Sequence, residues 1–193
     1  MKEFYVIVLM EMSNFAHPND GRLAGCAWII IWNRIKKTGK DYKEKIKMTT
    51  DERFMAMALD EARAAMAQDE IPVGAVVVAP DGRVIGKGHN LTETLRDVTA
   101  HAEMQAITAA AGEQGGKYLT GCTLYVTVEP CVMCAGAIAW SQLGRLVFGA
   151  SDEKRGYCKY APEALHPKTV VERGVMGEEC AQLMKDFFKD KRK

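Results

Sequence analysis

The sequence lacks an apolar run long enough to cross a membrane. Two apolar runs lie near its start, at residues 4–10 and 23–32, and both are far shorter than the about 20 residues that span a bilayer. The chain also lacks the closely spaced cysteines of a disulfide framework, because four of its six cysteines, at positions 26, 122, 158 and 180, are widely scattered. These absences predict a protein of the reducing cytoplasm with no membrane partner.

A strong charge of one sign is missing as well. The formal net charge is +1, and it hides an asymmetry: residues 1–47 hold nine Lys and Arg against five Asp and Glu, whereas residues 48–193 hold 17 against 20. The longer part is therefore slightly acidic. If it binds a nucleic acid, it needs a local basic patch, because its overall field does not attract phosphates.

A boundary is predicted near Met48. Thr49 and Glu52 have the spacing of a capping box, which starts a helix, and residues 48–193 are predicted to form one domain with a sizeable core. Residues 1–47 do not fit that pattern. Three explanations stay open for them: translation from an incorrectly assigned start, which the helix start at Met48 favours, a disordered extension, or a weak membrane-surface anchor. A secretory signal is not expected, because the basic cluster follows the apolar run.

The sequence does contain a set of residues suited to zinc. Pro130 is predicted in the first turn of a helix, where its missing N–H leaves no group unpaired. Cys131 and Cys134 are three residues apart, so at the start of that helix both sulfurs face one ion, and the helix N-terminus favours thiolates. His101 supplies a third ligand. A structural zinc site uses four protein ligands, whereas a catalytic site uses fewer and leaves a position open for water. Glu103 can exchange a proton with that water, so the pattern favours a catalytic site over a structural zinc knuckle.

The spacing of apolar residues predicts the fold class. The predicted elements are a helix at 50–68, a strand at 75–78, a turn at 80–82, a strand at 83–88, a polar loop at 91–99, a helix from His101 to Gly112, a strand at 123–128, the cysteine helix to Trp140, a strand at 145–149, a loop at 151–168, a strand at 169–171 and a helix at 178–189. This order is typical of an α/β protein with helices around one mixed five-stranded sheet. Its ligands are expected at the carboxyl ends of the strands.

Segments of residues 48–193 resemble the bacterial tRNA adenosine deaminases. The matching segments are 71–76, 88–90, 99–103, 123–128, 129–137 and 147–150. The resemblance implies a cytidine-deaminase-like three-layer α/β/α sandwich, a homodimer, one Zn²⁺ per subunit and no organic cofactor. It also implies that zinc activates a water, that Glu103 carries the protons, and that the wobble adenosine in the anticodon stem-loop of an arginine tRNA becomes inosine.

The same resemblance assigns four residues to the RNA substrate. Asn90 would read the purine edge and the backbone of Ala102 would hold the base. Asp152 would lie near the preceding nucleotide, and Phe188 would stack on a loop base beside basic residues. Their plainer interpretations are a turn residue for Asn90, a solvated charge for Asp152 and core packing for Phe188. Trp140 stands where a polar residue is common in that family, and its interpretation is core or interface packing.

Two other functions stay open. The same zinc site and Glu103 could deaminate a free nucleobase or nucleoside, such as guanine or cytosine, although the basic tail after Phe188 favours tRNA. A non-catalytic RNA-binding or zinc-stabilised module is the other alternative. Glu103 argues against that module, because the carboxylate of this motif is not a zinc ligand.

Overall fold

The described part of the chain opens with a helix. The computed structural model describes residues 48–192, and the predictions for residues 1–47 lie outside the described residues. Helix α1 (Thr50–Ala67) begins at the predicted capping box. The Thr49 side chain accepts a hydrogen bond from the N–H of Glu52 at 3.2 Å, and the Glu52 carboxylate accepts one from the N–H of Thr49 at 2.7 Å. The predicted helix start is confirmed, since two otherwise unpaired N–H groups are satisfied there.

Strands and helices alternate after α1. The further elements are β1 (Gly74–Val78), β2 (Val84–His89), α2 (Thr92–Leu95), α3 (Ala102–Gln114), β3 (Thr123–Val128), α4 (Val132–Trp140), β4 (Arg145–Ala150), α5 (Tyr157–Tyr160), β5 (Val170–Arg173) and α6 (Gly177–Asp190). Within residues 48–192, the helices are all too short or too polar to cross a membrane.

The strands form one five-stranded sheet in the order β2-β1-β3-β4-β5. β1 runs antiparallel to both of its neighbours, whereas β4 runs parallel to β3 and to β5. It follows that β2, β3, β4 and β5 all point the same way, and their carboxyl ends lie at one edge of the sheet. The predicted mixed sheet is confirmed. Residues that follow these strands meet at the edge where α/β sheets bind ligands.

Helices cover both faces of the sheet. Ala75 and Val77 of β1 belong to a core cluster with residues of α3 and α4, whereas Val76 and Val78 belong to a second cluster with residues of α1 and α6. A strand that is buried on both faces reads as a continuous apolar run, which is what β1 shows. The predicted three-layer α/β/α sandwich is therefore confirmed.

Two local predictions are wrong. The segment 91–99 was expected to be a loop, but it contains α2, because the buried Glu70 carboxylate accepts hydrogen bonds from the N–H groups of Glu93 and Thr94 at 3.0 and 2.7 Å. Pro130 was expected in the first turn of the cysteine helix, but it precedes the N-cap residue Cys131 and lies outside α4. Both differences come from contacts with distant parts of the chain, which local spacing does not show.

Helix α3 packs against β2 more closely than a side chain on the strand would allow. A Cβ added at Gly88 would lie 2.6 Å from the carbonyl oxygen of Ala102 and 2.6 Å from the Cβ of Gln105. Gly86 faces the backbone of Ala106 in the same way. Glycine at these strand positions lets the N-terminus of α3 approach the edge of the sheet.

We expect Gly88→Ala to lower the free energy of unfolding by about 1–3 kcal/mol, the usual cost of overpacking, even though alanine loses less backbone entropy than glycine. Urea unfolding of the purified protein measures the change. Gly112→Ala is the matched control, because a Cβ added at Gly112 of α3 meets no atom within 4 Å and alanine favours a helix. An unchanged unfolding midpoint in Gly88→Ala would contradict the close approach of α3.

Candidate active site

Two helix N-termini converge at the carboxyl edge of the sheet. His101 is the N-cap residue of α3 and Cys131 is the N-cap residue of α4, each with an extended backbone. Neither side chain makes a capping hydrogen bond to its own helix. Both side chains are therefore available for another ligand, at helix ends whose unpaired N–H groups favour negative charge.

His101, Cys131 and Cys134 form a compact cluster. Their ligand atoms all lie within 4.8 Å of one another, and the Nδ1 atom of His101 lies 3.6 Å from the Sγ of Cys131 and 3.5 Å from the Sγ of Cys134. Tetrahedral zinc with Zn–S of about 2.3 Å and Zn–N of about 2.0–2.1 Å separates sulfur from nitrogen by about 3.6 Å. The donor set and its spacing thus fit a zinc ion with three protein ligands.

The cluster is arranged to carry negative charge on sulfur. A hydrogen bond from the Cys134 thiol, together with one from His101, lowers the pKa of Cys131 to about 4. The hydrogen bond to Cys131 also raises the pKa of His101 above its ordinary value, because the charged imidazole faces a thiolate. Cys134 keeps its proton, since its bond to Cys131 and its burial raise its pKa. A metal ion that binds here must displace the protons of His101 and Cys134.

Glu103 lies in the first turn of α3 and its carboxyl group faces the cluster. The side chain is only 3% exposed, and its carboxyl group interacts with Cys131, His101 and Cys134. Burial, the largest influence, raises the pKa of this carboxyl above its ordinary value. A carboxyl group with a raised pKa holds a proton more readily than an exposed one, so it can both accept and donate a proton, which is the property that general acid–base catalysis requires.

A second buried carboxylate, Glu129, holds the loop after β4 against the cluster. It accepts hydrogen bonds from the N–H groups of Asp152 and Cys158 at 3.1 and 3.0 Å. Gly156 packs directly on this carboxylate, and it forms an isolated β-bridge with Cys131. This role of Glu129 does not follow from local sequence spacing. Its position next to Pro130 in the cysteine motif was the only available signal.

Asn90 follows β2 at the same edge of the sheet. Residues before and after Asn90 contact the start of α3 and the residues just ahead of it. Gly88 packs on Ala102, and the N–H of Leu91 donates to the carbonyl of Ala100 at 3.0 Å. Asn90 is only 5% exposed, and Ala102 is fully buried as the first residue of α3. The structure therefore places Asn90 beside the segment that carries His101.

The two other residues assigned to RNA lie further out. The Asp152 carboxylate accepts hydrogen bonds from the N–H groups of Lys154 and Arg155 at 2.9 and 3.0 Å, so it shapes the loop after β4. Phe188 is 41% exposed, whereas Phe187 is only 7% exposed and packs in the core. Phe188 lines a surface groove beside α2, and this groove is not lined by His101, Cys131 or Cys134.

Comparison with known proteins supports this interpretation of the site. The sequence profile of the cytidine and deoxycytidylate deaminase zinc-binding region matches residues 48–150, more than half of the chain. The tRNA-specific adenosine deaminase of Agrobacterium fabrum is 44% identical over 144 residues, which cover 72% of this chain and 94% of that protein. The protein of the same name from Streptococcus pyogenes is 42% identical over 144 residues, covering 72% of this chain and 90% of its own length.

A solved structure is also similar. It comes from biochemical and structural studies of A-to-I editing by tRNA deaminases at the wobble position of transfer RNA, and it superposes with a TM-score of 0.64 at 44% sequence identity. The match covers 68% of this chain and 98% of that one. Sequence profile, relatives and fold agree with the His101, Cys131 and Cys134 cluster, and the chain belongs to the cytidine and deoxycytidylate deaminase family of zinc-binding enzymes.

Proposed function

We propose that this protein is a zinc-dependent deaminase that converts the wobble adenosine of a tRNA, an arginine tRNA first of all, to inosine. The observation that carries the proposal is the buried Glu103 carboxyl against the cluster of His101, Cys131 and Cys134. The relatives named tRNA-specific adenosine deaminase, at 42% and 44% identity, support the tRNA substrate. A tRNA substrate would also place the enzyme in the cytoplasm.

His101, Cys131 and Cys134 would hold the zinc ion. A zinc ion held there would act as a Lewis acid that lowers the pKa of water, so that a nucleophile is available near neutral pH. Glu103 takes the proton that this water loses and delivers it to the departing amine, so that water and adenosine become inosine and ammonia. Because Glu103 is buried, the proton it holds does not exchange readily with bulk solvent during the reaction.

The first turn of α3 and the end of β2 would bind the base. Ala102 presents backbone N–H and C=O groups at a helix N-terminus, where negative charge that develops during the reaction is stabilised. Asn90 would provide a side-chain amide to the edge of the purine. The close contact between Gly88 and the carbonyl oxygen of Ala102 ties the end of β2 to the start of α3, and this supports placing the two groups at one site.

Basic and aromatic side chains next to Cys131 would bind the RNA strand. A surface cleft of about 570 Å³ is lined by Lys154, Arg155, Tyr160 and the first residues of the cysteine segment. This is a local basic patch of the kind that the slightly acidic domain needs, and Tyr160 offers a ring for stacking. Asp152 would shape this patch by holding the backbone of Lys154 and Arg155, and Phe188 would meet a more distant loop base.

A second copy of this chain would cover the exposed side of α4. Trp140 is 85% exposed and Val132 is 42% exposed, so of the two interpretations of Trp140, core packing does not hold and interface packing stays open. Tryptophan is enriched in protein interfaces and is costly to leave in water. A homodimer in which α4 contributes to the interface would bury it close to the helix that carries two of the zinc ligands.

We expect the wild-type protein to form inosine in an arginine tRNA that carries adenosine at the wobble position, and not in free adenine, guanine, cytosine or their nucleosides. Glu103→Gln should lower kcat by at least about 100-fold, because glutamine cannot take up and release the proton that Glu103 carries in the proposed reaction. Zinc content measured by elemental analysis should stay at one per chain.

Glu113→Gln, at the far end of the same helix, is the control and should keep full activity. Deamination of a free base alone would replace the tRNA proposal with the free-base alternative, and full activity in Glu103→Gln would contradict the proton-transfer role.

We expect the double variant Lys154→Ala and Arg155→Ala to raise KM for the tRNA about tenfold with little change in kcat, because phosphate contacts contribute to binding. The dependence of log(kcat/KM) on log salt should become shallower by about 1.4, from about 0.7 for each lost phosphate contact on a single strand. Arg83→Ala with Lys117→Ala removes the same charge at the opposite edge of the sheet and is the matched control. Equal effects of the two double variants would show that only net charge matters and would refute a basic patch at the cleft.

We expect the wild-type protein to sediment as a dimer and Trp140→Lys to sediment as a monomer, since a charge buried in an interface core without a partner is destabilising. Sedimentation velocity measures both. Tyr118→Lys changes an exposed aromatic residue outside α4 and should leave the dimer intact. A dimeric Trp140→Lys protein would place the interface elsewhere.

A further inference from the structure

Glu70 is a carboxylate with no exposed surface, outside the zinc cluster. It lies between α1 and β1, and its side chain is completely enclosed. A buried carboxylate is retained only where hydrogen bonds compensate for its lost hydration. The four hydrogen bonds to Glu70 therefore show which groups this carboxylate holds in place.

The two carboxylate oxygens of Glu70 have different partners. Oε1 accepts from the backbone N–H groups of Glu93 and Thr94 at 3.0 and 2.7 Å, which caps the N-terminus of α2. Oε2 accepts from the Nδ2 of Asn90 and from the Oγ1 of Thr92, both at 3.3 Å. One oxygen thus holds a backbone segment, and the other faces the side chain of Asn90.

The charge of Glu70 determines how the Asn90 amide is oriented. Burial raises the pKa of Glu70, but the hydrogen bonds from Thr94, Glu93 and Thr92 outweigh burial and bring the pKa below its ordinary value. The group is therefore an ionised carboxylate, which accepts hydrogen bonds and donates none. Only the NH₂ end of an amide can face it, so the Asn90 Nδ2 points to Glu70 and Thr92, and Oδ1 points away from them.

We propose that Glu70 is a positioning residue for base recognition: it fixes the amide of Asn90 in one of its two orientations, with Oδ1 as the acceptor offered to the substrate base. The inference rests on the proposed function, in which Asn90 contacts the base. Without a buried negative charge at Glu70, the amide can turn over, and the atom offered to the base changes from an acceptor to a donor. Recognition of the base therefore depends on a residue that does not touch it.

Glu70→Gln is the sharpest variant, because it can keep one oxygen for the N–H groups of Glu93 and Thr94. Its new NH₂ group then replaces Oε2 and faces the NH₂ of Asn90, so the Asn90 amide must turn over or move. We expect kcat/KM to fall about tenfold or more, since a mismatched buried amide costs one or more hydrogen bonds. Zinc content should stay close to that of the wild type, and the unfolding midpoint should fall by no more than the loss of one or two buried hydrogen bonds explains.

A double-mutant cycle distinguishes positioning from general structural damage. In the Asn90→Ala background, Glu70→Gln should change kcat/KM by less than about twofold, because the amide it orients is gone. Glu61→Gln neutralises a carboxylate of α1 that pairs with His89, and it serves as the control with wild-type activity. Equal losses from Glu70→Gln in both backgrounds would overturn the proposal.

An NMR measurement tests the same contact without any substrate. In protein with ¹⁵N-labelled asparagine, the Asn90 side-chain NH₂ resonances are identified by their absence in Asn90→Ala, and they should move strongly in Glu70→Gln. Unchanged resonances would overturn the proposal. Failure of the tRNA assay on wild-type protein would reject the proposed function instead, and the NMR result would still decide whether Glu70 orients Asn90.

Thr92→Val is a second variant that does not depend on Glu70→Gln folding. It removes the Oγ1 that bonds both Asn90 and Glu70, but it keeps the capping bonds to the α2 backbone. We expect about a threefold loss in kcat/KM with Asn90 present, shifted Asn90 NH₂ resonances, and no further loss in Asn90→Ala. No shift and no loss would contradict the network.

Discussion

The site depends on the meeting of two helix N-termini at one edge of the sheet. His101 and Cys131 occupy N-cap positions of α3 and α4, and neither uses its side chain to cap its helix. The ligand atoms are thus supplied at the helix positions where unpaired N–H groups and the helix dipole stabilise negative charge. Two thiolates, a carboxylate and a developing oxyanion all benefit from that field. The close packing of α3 on glycine residues of β2 brings one of these helix ends to the edge.

Two carboxylates that are not among the metal-ligand candidates hold the surroundings of the site. Glu129 binds the N–H groups of Asp152 and Cys158, and so anchors the loop after β4. Glu70 caps α2 after β2. Both are buried, and each secures a segment that would otherwise be a free loop at the same sheet edge. The positions of the groups around His101, Cys131 and Cys134 therefore depend on these two buried carboxylates.

The sequence was sufficient for the parts of the structure that depend on local spacing. The capping box at Thr49, the succession of helices and strands along the chain and the grouping of His101 with Cys131 and Cys134 all follow from residues close together or from a known motif. The role of Glu70 could not be predicted, because 20 residues separate it from Asn90 and only the fold of β1 and β2 brings them into contact. Helix α2 was missed for the same reason, since its cap is a distant carboxylate.

The groups that would carry out the reaction and the groups proposed to select the substrate lie on different segments of this structure. The zinc cluster and Glu103 would serve a free base as well as a base in RNA, because they act only on the carbon that carries the amine. Selection would come from groups outside them, and the proposed groups are Asn90 after β2 and Lys154 and Arg155 after β4. Each lies on a segment tied down by a buried carboxylate that is not one of the candidate zinc ligands. A change of substrate within this fold therefore requires changes in these segments and their anchors, while the cluster can remain as it is.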